Sequence, residues 1–148
     1  MALNAYLKLT GQKQGDIKGS TTQKGREGQI QVMSFSFGTE STEGQIDPTE
    51  FMVALDADQS TPLILNAFVQ NENLTTCELD LYGENEAGEE ILQQKWELTN
   101  AQVASFRSGA VVGSANGPAN EVTFSFERLQ QTWLDGGLTA EWDVNQQK

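Results

Sequence analysis

Apolar and polar residues alternate along most of this chain, and that period of two limits the fold more than any other feature. Leu3, Ala5, Leu7 and Leu9 alternate with Asn4, Tyr6 and Lys8. Phe51, Val53 and Leu55 do the same, as do Cys77, Leu79 and Leu81 against Glu78, Asp80 and Tyr82. Val122, Phe124 and Phe126 alternate with Thr123, Ser125 and Glu127. Successive side chains of a strand point to opposite faces, so this pattern predicts strands with one face buried. Further strands are predicted over 91–98 and around 101–107. A final pair is separated by the turn Asp135-Gly136-Gly137, and its last strand carries Leu138, Ala140, Trp142 and Val144. The expected class is mainly β, a closed or sandwiched antiparallel structure.

One segment breaks the period. Thr61 is a good N-cap and Pro62 suits a first helical position. Leu63, Ile64, Ala67 and Phe68 then recur at helical spacing, and Asn71 and Asn73 end the run. The spacing predicts one helix over about 61–71. Three turns are marginal alone, so its apolar stripe must dock on the sheet.

Between the strands, residues 10–28 hold five glycines and read as a long loop. Residues 29–37 form a strand whose apolar phase changes: Ile30 and Val32 share one face, then Met33, Phe35 and Phe37 the other. Either a bulge or burial on both faces explains the change. Residues 38–50 read as an extended polar loop, 83–90 as an acidic hairpin connection, and 109–120 as a loop rich in Gly, Ala and Asn.

The 148 residues suit one domain spanning 1–148, with no second domain or internal repeat expected. A chain of this size buries about 68–70% of its unfolded surface, so it needs no disulfide or metal to hold a core. Cys77 is its only cysteine and has no intramolecular partner, which fits a chain that makes no use of an oxidising compartment. The net charge of −12 works against nucleic acid and anionic lipid as partners. Lys8, Lys13, Lys18, Lys24 and Arg26 all fall in the first 26 positions, which fits equally a basic loop of one copy meeting an acidic face of another and a plain solvated loop. The start, MALNAYLKLT, has no signal-peptide character, and no apolar run reaches the roughly 20 residues of a membrane span.

Catalytic and metal-binding patterns are weak. The chain has no His, which excludes Ser-His-Asp chemistry and leaves Cys77 without an activating base. Gly11, Gly15 and Gly19 lack the phosphate-loop spacing. Asp56 to Ser60 imitates the start of a calcium loop, but Thr61 stands where Gly is needed and Ala67 where the bidentate Glu belongs. Glu84, Glu86, Glu89 and Glu90 read as a solvated hairpin. Asn73-Leu74-Thr75 matches a glycosylation sequon, but a chain without a signal does not meet that machinery. Trp96, Trp133 and Trp142 suit core or interface positions, with a sugar-binding face as the alternative. No catalytic, cofactor or metal site is predicted, and an enzyme is not expected.

Three ordered segments resemble the Hcp family, the tube-forming hemolysin-coregulated proteins of bacterial type VI secretion. AYLKLTGQKQGDIKGSTTQKGREGQIQVMSFSFG is similar to the family's opening, a strand with a Leu-Lys pair leading through a Gly/Lys loop into a strand ending S-F-S-F-G. FMVALDADQSTPLILNAFVQNENLTTCELDLYG is similar to its central segment, and VTFSFERLQQTWLDGGLTAEWDV to its closing hairpin. The departures, FVQNENLTT after the helix and the acidic balance, bear on cargo and partners more than on fold.

The resemblance implies a compact β-barrel of two packed antiparallel sheets with one flanking helix. It implies hexameric rings that stack into a tube within a contractile sheath, with a spike protein and small effectors as further partners. It also implies residence in the bacterial cytoplasm, then secretion without a cleaved signal. No cofactor, nucleic acid or membrane insertion is expected. A phage-like tail-tube protein and a carbohydrate-binding β-sandwich are the alternatives. A hydrolase using two carboxylates is a further one. The expected subunit interface comprises Gln31, Met33 and Phe35 of the two-faced strand, with Glu40, Glu43, Gln45 and Ile46 of the following loop. Net charge alone predicts stacking that strengthens as salt screens repulsion within about 8–10 Å. The opposite response would point to the basic loop meeting acidic residues of the next ring.

Overall fold

The computed structural model describes residues 4–46, 50–115 and 117–144, and Leu3 and Pro48 lie outside this set. The strands in chain order are β1 (Asn4–Gly11), β2 (Gly15–Ile17), β3 (Ile30–Ser36), β4 (Ser41–Thr42), β5 (Gln45–Ile46) and β6 (Phe51–Asp56). After the helix α1 (Thr61–Val69) come β7 (Leu74–Glu84), β8 (Glu90–Thr99), β9 (Gln102–Gly109), β10 (Ala119–Ser125), β11 (Arg128–Trp133) and β12 (Leu138–Asp143). The order β12-β11-β8-β7-β1-β3-β6-β10-β9 makes one antiparallel sheet, with β2 added to β1.

The mainly β class holds, but the two packed sheets are one continuous sheet folded over. Phe51 on β6 and Trp96 on β8 are separated by three strands, so a flat sheet would hold them about 19 Å apart. Their ring centroids are 5.6 Å apart. Register shifts at Thr10/Gly11, Val32/Ser34, Leu81/Tyr82 and Thr123/Phe124 supply bends of the kind that bulges introduce. The sheet is not closed, because β12 pairs only with β11 and β9 only with β10 among the described residues. Inside the fold lie Leu7, Leu9, Val53, Leu55, Leu79, Leu81 and Phe124, joined by Ile64 and Ala67 from α1.

The helix starts at Thr61, as the expected span does, and ends two positions short of it, and its cap lies one position earlier than the expected Thr61. Ser60 is the N-cap, without a side-chain cap bond, and Gln70 is the C-cap. The Asp58 carboxylate accepts the Ser60 N–H at 2.7 Å. The Thr61 hydroxyl is used instead to accept the Asp58 N–H at 3.1 Å and the Asn120 side-chain amide at 2.9 Å. Asn71 adopts φ 52°, which turns the chain out of the helix before the predicted end.

The phase change in β3 is a bulge. Ile30 and Val32 are buried, the register against β6 slips between Val32 and Ser34, and Phe35 and Phe37 then pack on the core. Met33 is left outside. Residues 38–50 include a small hairpin, β4 and β5, turning at Glu43 and Gly44 with φ of 52° and 83°. Positive φ at both central residues is the tight hairpin geometry.

The Gly/Lys segment 10–28 is anchored rather than freely solvated. Arg26 is buried, its guanidinium lies 3.6 Å above the Tyr82 ring, and it pairs with Glu90 at 2.6 Å. The Tyr6 hydroxyl donates to Gln23 at 2.9 Å. Tyr6, on the polar phase of β1, is thereby buried as well.

Candidate functional site: an open-edged strand layer

Strands β3, β6, β10 and β9 form a four-stranded layer whose two faces differ. Phe51, Val53, Leu55, Val103, Val122 and Phe124 point into the core. Across the outer face, Ser36 stands opposite Met52, Met52 opposite Thr123, and Thr123 opposite Ser105. The next row runs from Ser34 through Ala54 and Glu121 to Arg107. Side chains here are small and mostly uncharged, and the single ion pair, Arg107–Glu121, is a loose 3.9 Å. Met33 is 59% exposed beside this face. A shallow cavity of about 320 Å³ is lined by Met52, Ser105, Arg107, Glu121 and Thr123, with the edge of Phe106.

Both sides of the layer are open. Among the described residues, β9 has β10 on one side and no strand on the other, and α1 packs against it. Among the described residues, β3 meets β1 only through Ile30–Val32, so the stretch from Met33 to Ser36 is flanked by β6 alone. Such rows of unpaired N–H and C=O groups are templates for pairing with another chain.

The expected interface residues distribute unevenly over this frame. Gln31 is exposed opposite Tyr6, and Met33 is exposed at the bulge. Phe35 points the other way, stacked on Phe51 with centroids 5.9 Å apart. Glu40 and Glu43 are exposed, Glu43 at the β4–β5 turn. The backbones of Gln45 and Ile46 form β5, and their side chains lie outside the described set. Ser34, Ser36, Met52, Ala54, Ser105 and Thr123 were not singled out in the sequence. Their outward phase was legible, but nothing local distinguishes this outer face from the charged one.

That charged face lies on β1, β7 and β8. Lys95 sits 3.9 Å from both Glu78 and Asp80. Burial pushes the Asp80 carboxyl above its ordinary value, although Lys95 opposes the shift. An open cavity of about 230 Å³ nearby is lined by Glu78 and Glu97, which are cross-strand partners, but Asp80 does not line it. Asp80, whose burial favours the protonated form, therefore lies outside the cavity where a two-carboxylate hydrolysis would need such a group.

The remaining candidates take structural places. Cys77 is buried, and burial pushes its thiol far above the ordinary value. Asp58 spends its carboxylate on the amides of Ser20 and Ser60. Among the described residues, no three His, Cys, Asp or Glu side chains come together as metal ligands. Trp96 and Trp142 pack with Phe37, at 5.6 and 6.4 Å between centroids, while Trp133 is exposed elsewhere. The tryptophans therefore form no flat sugar-binding platform. No described helix is long and apolar enough to cross a membrane.

Residues 6–133 match the family model described as type VI secretion system effector, Hcp. The chain belongs to the Hcp family. A Pseudomonas aeruginosa relative, named major exported protein, is 30% identical over 97% of this chain and 96% of its own length. Secreted protein Hcp3 from Pseudomonas aeruginosa superposes with a TM-score of 0.82 at 24% identity, covering 96% of this chain and 98% of its own. A double variant of Hcp1 from an E. coli EAEC pathovar gives 0.83 at 24% identity, covering 97% and 98%. These two share the fold with this chain. The Hcp family is one of secreted structural proteins of type VI secretion, and the β-rich fold here is that of its members.

Proposed function

We propose that this Hcp chain, as one domain, is a tube subunit that closes head-to-tail into hexameric rings. The rings stack, leave the cytoplasm without a cleaved signal, and carry small effectors in the bore. Sheath and spike proteins are its further partners. The open-edged four-strand layer carries this reading. Neighbouring strands in the layer alternate in direction, and the number of strands is even. When copies related by a rotation about the strand direction meet, β9 of one therefore runs antiparallel to β3 of the next. The alternation continues across every seam, and a closed ring has no free edge left.

The same geometry supports one choice of faces. The core, α1 and the β7–β8–β11–β12 half lie on one side of the layer, and only the other side fits a bore. Ser34, Ser36, Met52, Ala54, Ser105 and Thr123 then line the channel. A channel wall of hydroxyls, a methyl and a thioether, with Glu121 and Arg107 as a pair of opposite charges among them, suits varied cargo, because these groups carry no net charge.

Negative-stain electron microscopy with light-scattering mass tests the reading. The purified chain is expected to give uniform rings with a central hole and a mass near six chains. Arg107→Pro and Ser108→Pro place a proline on each backbone phase of the edge strand, clear of the bulge opposite Thr123 and Phe124. One of the two has its N–H pointing away from β10, so it keeps the fold and loses the ring. A folded monomer at every salt and protein concentration, or intact rings from both proline variants, overturns the proposal.

A further inference from the structure

Two exposed apolar patches sit at opposite ends of the long β7 strand, and their surrounding charges are opposite in sign. At its far end, Trp133 pairs with Leu138 across the β11–β12 hairpin, and the Leu134 N–H donates to the Gln93 carbonyl of β8. Ile91 faces Gly83 beside them. All four apolar side chains are exposed, Leu138 to 67%. Around them stand Glu84, Glu86, Glu89 and Asp135, each exposed and without an ion pair among the described residues.

The other patch lies on α1, which ends just before β7 begins. Leu65, Phe68 and Val69 share one helix face by their spacing and are exposed, Val69 to 71%. Residues 13–20 run alongside this helix. Gln14 donates to the Leu63 carbonyl at 3.1 Å, the Gln59 side-chain amide donates to the Gly19 carbonyl at 2.6 Å, and the Ser20 N–H donates to Asp58 at 3.1 Å. The segment carries the exposed Lys13 and Lys18, with one exposed carboxylate, Asp16, between them. The 11 residues of β7 separate the two patches, and a strand of that length spans about 35 Å.

We propose that the acidic hairpin end of one copy docks on the lysine-flanked helix of the next, and that this end-to-end contact stacks the rings. The proposal rests on the tube reading for the existence of rings. Two hairpin ends facing each other would oppose eight carboxylates, so a symmetric contact is disfavoured. The helix end of a second copy offers an apolar face to match the hairpin's own and the cations that the hairpin end lacks. Because the patches occupy opposite ends, the contact is heterologous and repeats without limit, as a stack requires. Its charge component makes stacking weaken as salt rises, the reverse of the expectation from net charge.

Disulfide trapping in the full chain tests the contact. Val69→Cys and Leu138→Cys are combined, Cys77 being too buried to compete. Mild oxidation is expected to give a ladder of multiples joined 69-to-138 between chains, identified by peptide mass. Either single variant should give no ladder. Glu86→Lys with Glu89→Lys, or Lys13→Glu with Lys18→Glu, should each lower the yield several-fold, and all four changes together should restore it. No ladder, or only 138-to-138 links, overturns the proposal. Light-scattering mass of the same samples reads the ring separately: rings without the 69-to-138 ladder leave the tube reading intact, and a ladder without rings leaves the contact but removes its role in a tube.

Discussion

Gly11 has no side chain because the Glu72 carboxylate fills the space where its Cβ would be. That carboxylate is buried and accepts the N–H groups of Lys13 and Gln14 at 2.8 Å each. Gln14 adds a side-chain bond at 3.1 Å. Glu72 thereby ties the turn after β1 to the end of α1, and with it the lysine-bearing segment beside the helix.

Glu72→Gln is expected to destabilise the chain by about 1–3 kcal/mol at neutral pH, the range for losing hydrogen bonds to a charged group. Burial raises the carboxyl, but the bonds from Gln14 and Lys13 outweigh it and hold the group below its ordinary value of 4.5. The contribution is therefore present above that value and is lost as pH falls through the folded one. Urea denaturation of both proteins should show a gap at pH 7 that narrows below about pH 4. Gly11→Ala should cost far less in a Glu72→Ala background than alone. An unchanged gap in acid, or additive costs, counts against the coupling.

Asp80→Asn is expected to behave in the opposite sense. Burial raises this carboxyl, with Glu78 and Glu97 adding to the shift and Lys95 opposing it. The folded chain holds the proton more tightly than the unfolded one, so stability is lost as pH rises from the ordinary value of 3.8 through the folded value. The amide variant should melt higher than the parent at pH 7 and match it below about pH 4. A lower melting temperature at pH 7 would mean that the Lys95 contact outweighs the burial.

Arg26→Ala is expected to cost about 1–3 kcal/mol, because it removes a stacked guanidinium and leaves Tyr6 and Tyr82 uncovered. Arg26→Lys should recover only part, since an ammonium has no plane to lay on Tyr82. Trypsin should then cut after Lys18 and Lys24 faster in both variants. Equal cutting rates in all three proteins would show that the segment is held by other contacts.

Glu40→Lys with Glu43→Lys tests the small hairpin. Both side chains are exposed, so the monomer should keep its fold. If the hairpin reaches a neighbouring subunit, ring or stack formation should fall. Assembly identical to the parent removes these two residues from the interface.

The strand positions were legible because alternation is local. Ala5, Leu7 and Leu9 carry their inward phase in the sequence alone, and so do Val122 and Phe124. The bulge at Met33 was half legible: the phase change was visible, but only the slipped pairing with β6 distinguishes a bulge from burial on both faces. Arg26 was not legible. Its burial depends on Tyr6, Tyr82 and Glu90, which come from three separate strands, and in sequence it sits among glycines and lysines that look solvated. The outer face of the β3–β6–β10–β9 layer was hidden for a related reason. Ser36, Met52, Thr123 and Ser105 become neighbours only through strand order.

The continuous sheet has a mechanical consequence. Two separate sheets stacked face to face can slide when side-chain contacts give way. Here the layers are joined through the paired strands β7, β1 and β3, so backbone hydrogen bonds must break before one layer shears past the other. A thrust delivered to the charged outer half would pass to the four-strand layer through that ladder, and the chain would move as a stiff plate rather than as two sheets with a slip plane between them.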